Sequence, residues 1–206
     1  MKKPTRLRFE EHEKRYEWLS MLLEVYYQND LGTYQEMQGL LANATVKIVC
    51  QKGCSICCIN QAVPITEIEL VGISWYVPEG IGDLNVKEKL RSQMRGYKNN
   101  RACPFLLNGE CAIYPLRPIA CREFHVLRKQ CASGEDVVLS RPGDIWSPSR
   151  EVSRKTAAQL LPFYGFKKPK EIEIAFESGF IHENTRDMHS IDWADMANLM
   201  TYVNAT

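Results

Sequence analysis

All eight cysteines of this 206-residue chain lie between positions 50 and 131: Cys50, Cys54, Cys57, Cys58, Cys103, Cys111, Cys121 and Cys131. The 49 residues before them and the 75 after them contain none. A chain that concentrates its thiols in this way folds around them, and they must be bridged, ligated or left free. At this length a core can be built without covalent staples. The start, Met1-Lys2-Lys3, is followed by Arg6, Arg8, Glu10 and Glu11 where a signal peptide would place its apolar stretch, so no export signal is read here. The expected compartment is therefore cytoplasmic, where thiols stay reduced. Metal or cluster ligation is the expected use of the cysteines, ahead of disulfides or free thiols.

Spacing divides the eight into two groups. In Cys50-Gln51-Lys52-Gly53-Cys54-Ser55-Ile56-Cys57-Cys58, steps of four, three and one gather the sulfurs on one side, by a helical arc of about 100° or by a turn at Gly53. Cys54 and Cys57 form a chelating knuckle. Adjacent side chains diverge, so Cys57 and Cys58 are not expected to serve one tetrahedral ion together. The second group, Cys103, Cys111, Cys121 and Cys131, is spaced by eight, ten and ten, which suits ligands delivered from separate loops. Asn108-Gly109 reads as a turn that brings Cys103 and Cys111 together. Cys103-Pro104 is the Cys-Pro step that also ends bacterial ferredoxin runs.

The flanks read as helices. Over 8–28, Tyr16, Leu19, Leu23, Tyr26 and Tyr27 recur at helical steps. Asn29-Asp30 with Gly32 is expected to interrupt that helix before a second segment carrying Tyr34, Met37, Leu40 and Leu41. Thr66 and Glu69 form a capping box, and Pro78 with Gly80 ends the helix it starts. A short helix is expected over 86–94, ending at Gly96. Ser147-Pro148 should open another, through Val152, Ala157, Leu160 and Leu161 to Pro162. Two more are expected, over 172–180 and 191–203. Strand candidates are confined to 45–49 and 136–139. The expected fold is mainly α, with little or no sheet and helices around an irregular cysteine-rich metal-binding centre. It is read as a single domain over 1–206, with an N-terminal helical segment at 1–45, a cysteine-cluster core at 46–132 and a C-terminal helical segment at 133–206. The helices within 66–96 carry no cysteine and should form an antiparallel excursion that returns Cys103 beside Cys54 and Cys57, making one site shared by both groups.

Composition excludes several classes. Apolar residues are 45%, charged residues 25%, and the net charge is +1, an ordinary globular balance without the bulk charge of a nucleic-acid binder. No run approaches the roughly 20 apolar residues of a membrane span. A protein partner or substrate is left open. Neither a phosphate-binding glycine loop nor a nucleophile elbow is present. Arg117 and Arg122, flanking Cys121, are read as balancing thiolate charge while pairing structurally. His125 is read as a surface histidine or a neighbour of the centre, ahead of a ligand or proton donor, Tyr114 as a core aromatic, and Glu123 as solvated. Lys167, Lys168 and Lys170 are read as a solvated run.

The same residues resemble the YkgJ-type cysteine-cluster family of zinc- or iron-chelating domains. That family's pattern opens with Cys-x-x-Cys-x-x-Cys-Cys, or one residue more in the first gap, as here. It continues as Cys103-Pro104-Phe105-Leu106, Cys111-Ala112-Ile113-Tyr114 and Arg117-Pro118-Ile119-Ala120-Cys121-Arg122, with a later cysteine, Cys131. The resemblance implies a metal or iron–sulfur site, without implying a reaction. A longer relative, the flagellin lysine N-methylase, shares the cysteine cluster.

Both zinc and iron–sulfur centres take thiolates. The Cys103-Pro104 step and the vicinal pair Cys57-Cys58 favour an iron–sulfur cluster, of the 4Fe–4S type, over zinc. The expected function is metal binding with a redox or sensing role. The alternatives are a cluster-dependent group transferase resembling that methylase, or a zinc-structured interaction protein.

Overall fold

The computed structural model describes residues 2–42, 46–51, 53–59, 61–98 and 102–202. In chain order the elements are α1 (Glu10–Arg15), α2 (Glu17–Leu41), β1 (Pro64–Ile65), α3 (Glu67–Trp75), α4 (Leu84–Arg95), β2 (Leu106–Leu107), β3 (Glu110–Cys111) and α5 (Ile119–Glu123). Then follow β4 (His125–Val126), α6 (Val137–Ser140), β5 (Ile145–Trp146), α7 (Arg150–Leu160), α8 (Pro169–Glu177), α9 (Phe180–Glu183), β6 (Arg186–Asp187) and α10 (Trp193–Tyr202). Among the described residues the strands form only antiparallel pairs, β1 with β6, β2 with β3 and β4 with β5. The fold is mainly α, as expected.

The interruption expected at Asn29-Asp30 and Gly32 does not occur; α2 runs unbroken through it. Tertiary contacts override the local signals. Asn29 is fully buried, and its side-chain amide donates to Glu123 Oε1 and to Thr156 Oγ1. Gly32 lies where α2 crosses α7, and a Cβ there would stand 3.0 Å from both γ-methyls of Val152. The residues that look like breakers are the ones that let α7 approach. The break falls earlier, at Tyr16, which separates α1 from α2 in extended conformation.

The expected capping box is present: Glu69 N–H meets Thr66 Oγ1, and the Glu69 carboxylate accepts from Thr66 N–H at 3.0 Å. Tyr76–Gly80 winds the end of α3 into a wider turn. Asp83 caps α4, which packs on α10. The excursion closes where it opened. Ile59 pairs with Ala102, and the Cys103 N–H donates to the Cys58 carbonyl at 2.7 Å.

Other boundaries shift for local reasons. The segment 136–139 is not a strand; Asp136 caps a single helical turn, α6, through the Leu139 N–H. Ser149, and not Ser147-Pro148, caps α7. Within 45–49, Ile48 makes one bridge to Leu127, and Thr45 lies outside the described residues. The helix expected over 172–180 ends at Glu177, and Gly179 at φ 76 starts α9. Val203 lies outside the described residues, as do Lys52, Asn99 and Asn100.

The main core joins both flanks to the cysteine region, with Leu19, Leu22, Ile73, Phe105, Leu116 and Trp193 in one cluster. Cys103 is part of it, and Cys58, Cys111 and Cys121 pack against it. Replacing Gly32 by Val should push α7 from α2 and destabilise the protein by about 1–3 kcal/mol, read as a lower urea midpoint at unchanged slope.

Candidate metal centre

Each cysteine owes its place to a local device. Gly53, at φ 84, turns the chain so that the Cys54 N–H reaches the Gln51 carbonyl at 3.0 Å. Cys57 and Cys58 sit on a single 3₁₀ turn, Ile56–Cys58. In the β2–β3 hairpin, Asn108 at φ 52 and Gly109 at φ 80 form the expected two-residue turn, and Cys111 lies opposite Leu106. Cys121 is in the first turn of α5, where Pro118 precedes it and the Glu69 carboxylate accepts the Ile119 N–H at 2.6 Å. Cys50 follows the bridge at Ile48, and its sulfur accepts the Val126 N–H at 3.2 Å.

The eight thiols are free, and they resolve into two neighbourhoods that cut across the two sequence groups. Cys57, Cys103, Cys111 and Cys121 all influence one another electrostatically. Cys50, Cys54 and Cys131 do the same, with Cys57 also felt by Cys50 and Cys131. Cys57 therefore stands at the junction. Cys54 is among the thiols that influence Cys50 and Cys131.

Burial, then the neighbouring thiols, pushes Cys103 and Cys121 up to about 12. Burial also raises Cys111, against the pull of the Ile113 N–H and the guanidiniums of Arg117 and Arg122. Cys57 is raised furthest, first by its bond with Cys58 and then by burial. Burial raises Cys50 and Cys131 as well. These are thiols that resist ionising together until a cation offsets their repulsion. The donor set thus fits a thiophilic metal. Among the described residues, no three thiol, imidazole or carboxylate groups already stand in the geometry of a bound ion.

The surroundings correct two readings. Tyr114 is 54% exposed and is not a core residue; the Arg117 guanidinium lies 3.9 Å from its ring centre. Glu123 is half-buried under Asn29, not solvated, and burial lifts its carboxyl to about 7. Arg122 is buried, paired with Asp30 at 2.6 Å and stacked 4.0 Å from the Tyr26 ring centre, while donating to the carbonyls of Pro115 and Arg117. The structural pairing expected of it is present, tying the loop before Cys121. His125 stacks near Trp146, and burial and Arg117 push its imidazole down. Lys167, Lys168 and Lys170 are exposed, as expected. Sequence reasoning identified Glu69 only as half of a capping box; its second role, holding Ile119, has no local signature.

Residues 49–138, which contain all eight cysteines, match the family model CxxCxxCC, "Putative zinc- or iron-chelating domain". No curated protein and no solved structure matches the chain significantly. No helix among the described residues is long and apolar enough to cross a membrane.

In the metal-free folded chain at about pH 8.5, iodoacetamide should modify Cys103 and Cys121 roughly a hundredfold more slowly than in the urea-unfolded chain, because only the thiolate reacts. Their raised pKa values leave little thiolate at that pH, and peptide mapping by mass spectrometry reads the difference.

Proposed function

We propose that this is a metal-binding protein in which Cys57, Cys103, Cys111 and Cys121 hold a 4Fe–4S cluster, with a redox or sensing role in a reducing, cytoplasmic setting. The observation that carries the reading is the match of residues 49–138 to a zinc- or iron-chelating domain model. Among the eight thiols these four, one from the first sequence group and three from the second, influence one another electrostatically. Four thiolates are what such a cluster needs, and when bound it supplies one-electron chemistry.

The chain's own residues supply the setting. Phe105 and Ile113, almost wholly buried, exclude water from one side. Arg117 and Arg122 offset the negative charge of the ionised thiols. Glu69 holds the α5 start so that Cys121 faces its partners. Loading requires the thiols to lose protons and draw together, so ligation contributes folding free energy to the stretch that carries them. Cys50, Cys54 and Cys131, with Cys58 beside Cys57, are the remaining candidate ligands.

Anaerobically purified protein should be brown and contain iron and acid-labile sulfide. Cys57→Ser and Cys121→Ser should each abolish the same absorption, with the double variant no worse than either, while Cys131→Ser keeps most of it. Removing the metal should speed hydrogen exchange over 102–131 and leave α2 and α7 protected. Colourless protein holding zinc would overturn the cluster in favour of a zinc-structured protein, and additive half-losses of metal would overturn the shared site.

A further inference from the structure

A cavity of about 320 Å³ lies beside the thiols, between the middle of α2, the extended N-terminal stretch and the turn that leads to Cys121. That volume is at the lower end of the range for small-molecule sites. Its walls are aromatic: Tyr26, Tyr27 and Tyr34 come from α2, and Tyr114 comes from the turn. The N-terminal stretch is held in place over it, because Arg6 pairs with Glu13 at 2.8 Å and Glu24 at 2.9 Å and donates to the Ser20 carbonyl. This wall is therefore built before any ligand arrives.

The charge on the walls is unbalanced. Arg117, Arg122 and Lys2 line the cavity, and Asp30 is the one carboxylate lining it among the described residues. Asp30 is already engaged by Arg122 at 2.6 Å. Arg117 has no ion pair among the described residues and rests on the Tyr114 ring. A guanidinium without a carboxylate and aromatic walls together describe a receptor for an anion with a flat body.

We propose that this cavity is a binding site for a small organic anion, whose carboxylate or phosphate head meets Arg117 while its planar body lies between Tyr34 and Tyr114. Arg117 also faces Cys57, Cys111 and Cys121, so the ligand would sit at the edge of the thiol centre. The inference stands whether that centre takes iron or zinc.

Titration calorimetry on the full, anaerobically purified chain tests it with benzoate, phenyl phosphate and neutral benzyl alcohol. Benzoate or phenyl phosphate should saturate, the tighter of the two identifying the head group, and benzyl alcohol should not bind. Arg117→Gln and Tyr34→Ala should each weaken binding by about tenfold or more, Tyr34→Ala at unchanged metal content, while Arg154→Gln leaves it as it was. Should Arg117→Gln lose metal, Tyr34→Ala alone decides, since Tyr34 is remote from the thiols in sequence and lies on α2. The proposal is overturned if neither anion saturates below about 10 mM, if benzyl alcohol binds as tightly, or if Tyr34→Ala binds like the unaltered protein.

Discussion

A buried carboxylate, that of Glu69, decides how the two halves of the cysteine region meet. It accepts from the Thr66 N–H at 3.0 Å, the Thr66 hydroxyl at 2.8 Å and the Ile119 N–H at 2.6 Å. The first two fix the start of α3, and the third fixes the start of α5, fifty residues away. Burial pushes this carboxyl up, and its donors pull it down. A charge placed so deep is tolerated only with its donors complete, so the helix start and the Cys121 loop are held by one group. Arg122 works from the opposite side, joining that loop to α2 through Asp30.

The thiols are consequently not an appendage to the helical frame. Cys103 is in the main core, and the helices that flank the cysteine region contribute to the same core from Leu19 to Ala197. Apolar burial alone can fix the positions of α2, α3 and α10. The cysteine-bearing stretch 102–146 has strands of two residues and helical turns of three to five, too little regular structure to hold itself. Its order comes from a few specific bonds, Cys58 to Cys103 and Glu69 to Ile119, with the Asn108-Gly109 turn between.

What the sequence discloses follows the range of the interaction responsible. The capping box at Thr66 and the turn at Asn108-Gly109 depend on neighbours, and both are legible without a structure. The continuity of α2 depends on Thr156, Val152 and Glu123, more than ninety residues away, and local signals at Asn29 and Gly32 point the other way. Glu123 reads as a surface acid for the same reason, since only Asn29 brings it under cover. The mainly helical class and the cysteine-rich centre are legible. Which thiols influence one another is not, because Cys103, Cys111 and Cys121 sit on separate local devices that only the fold brings into mutual reach.

The β2–β3 hairpin carries a consequence for the order of assembly. It closes locally, and it leaves Cys103, Cys111 and Cys121 within a span of nineteen residues, whereas Cys57 lies 46 residues before Cys103. Loop-closure entropy grows with the length of chain to be closed, and long-range contacts form late. The hairpin can thus close while α3 and α4 are still unfolded, whereas the Cys121 loop is fixed only once Glu69 stands at the start of α3. Cys57 meets the downstream thiols only when the excursion has closed at Ile59 and Ala102. Folding of the helical excursion therefore comes before all of these thiols can stand together.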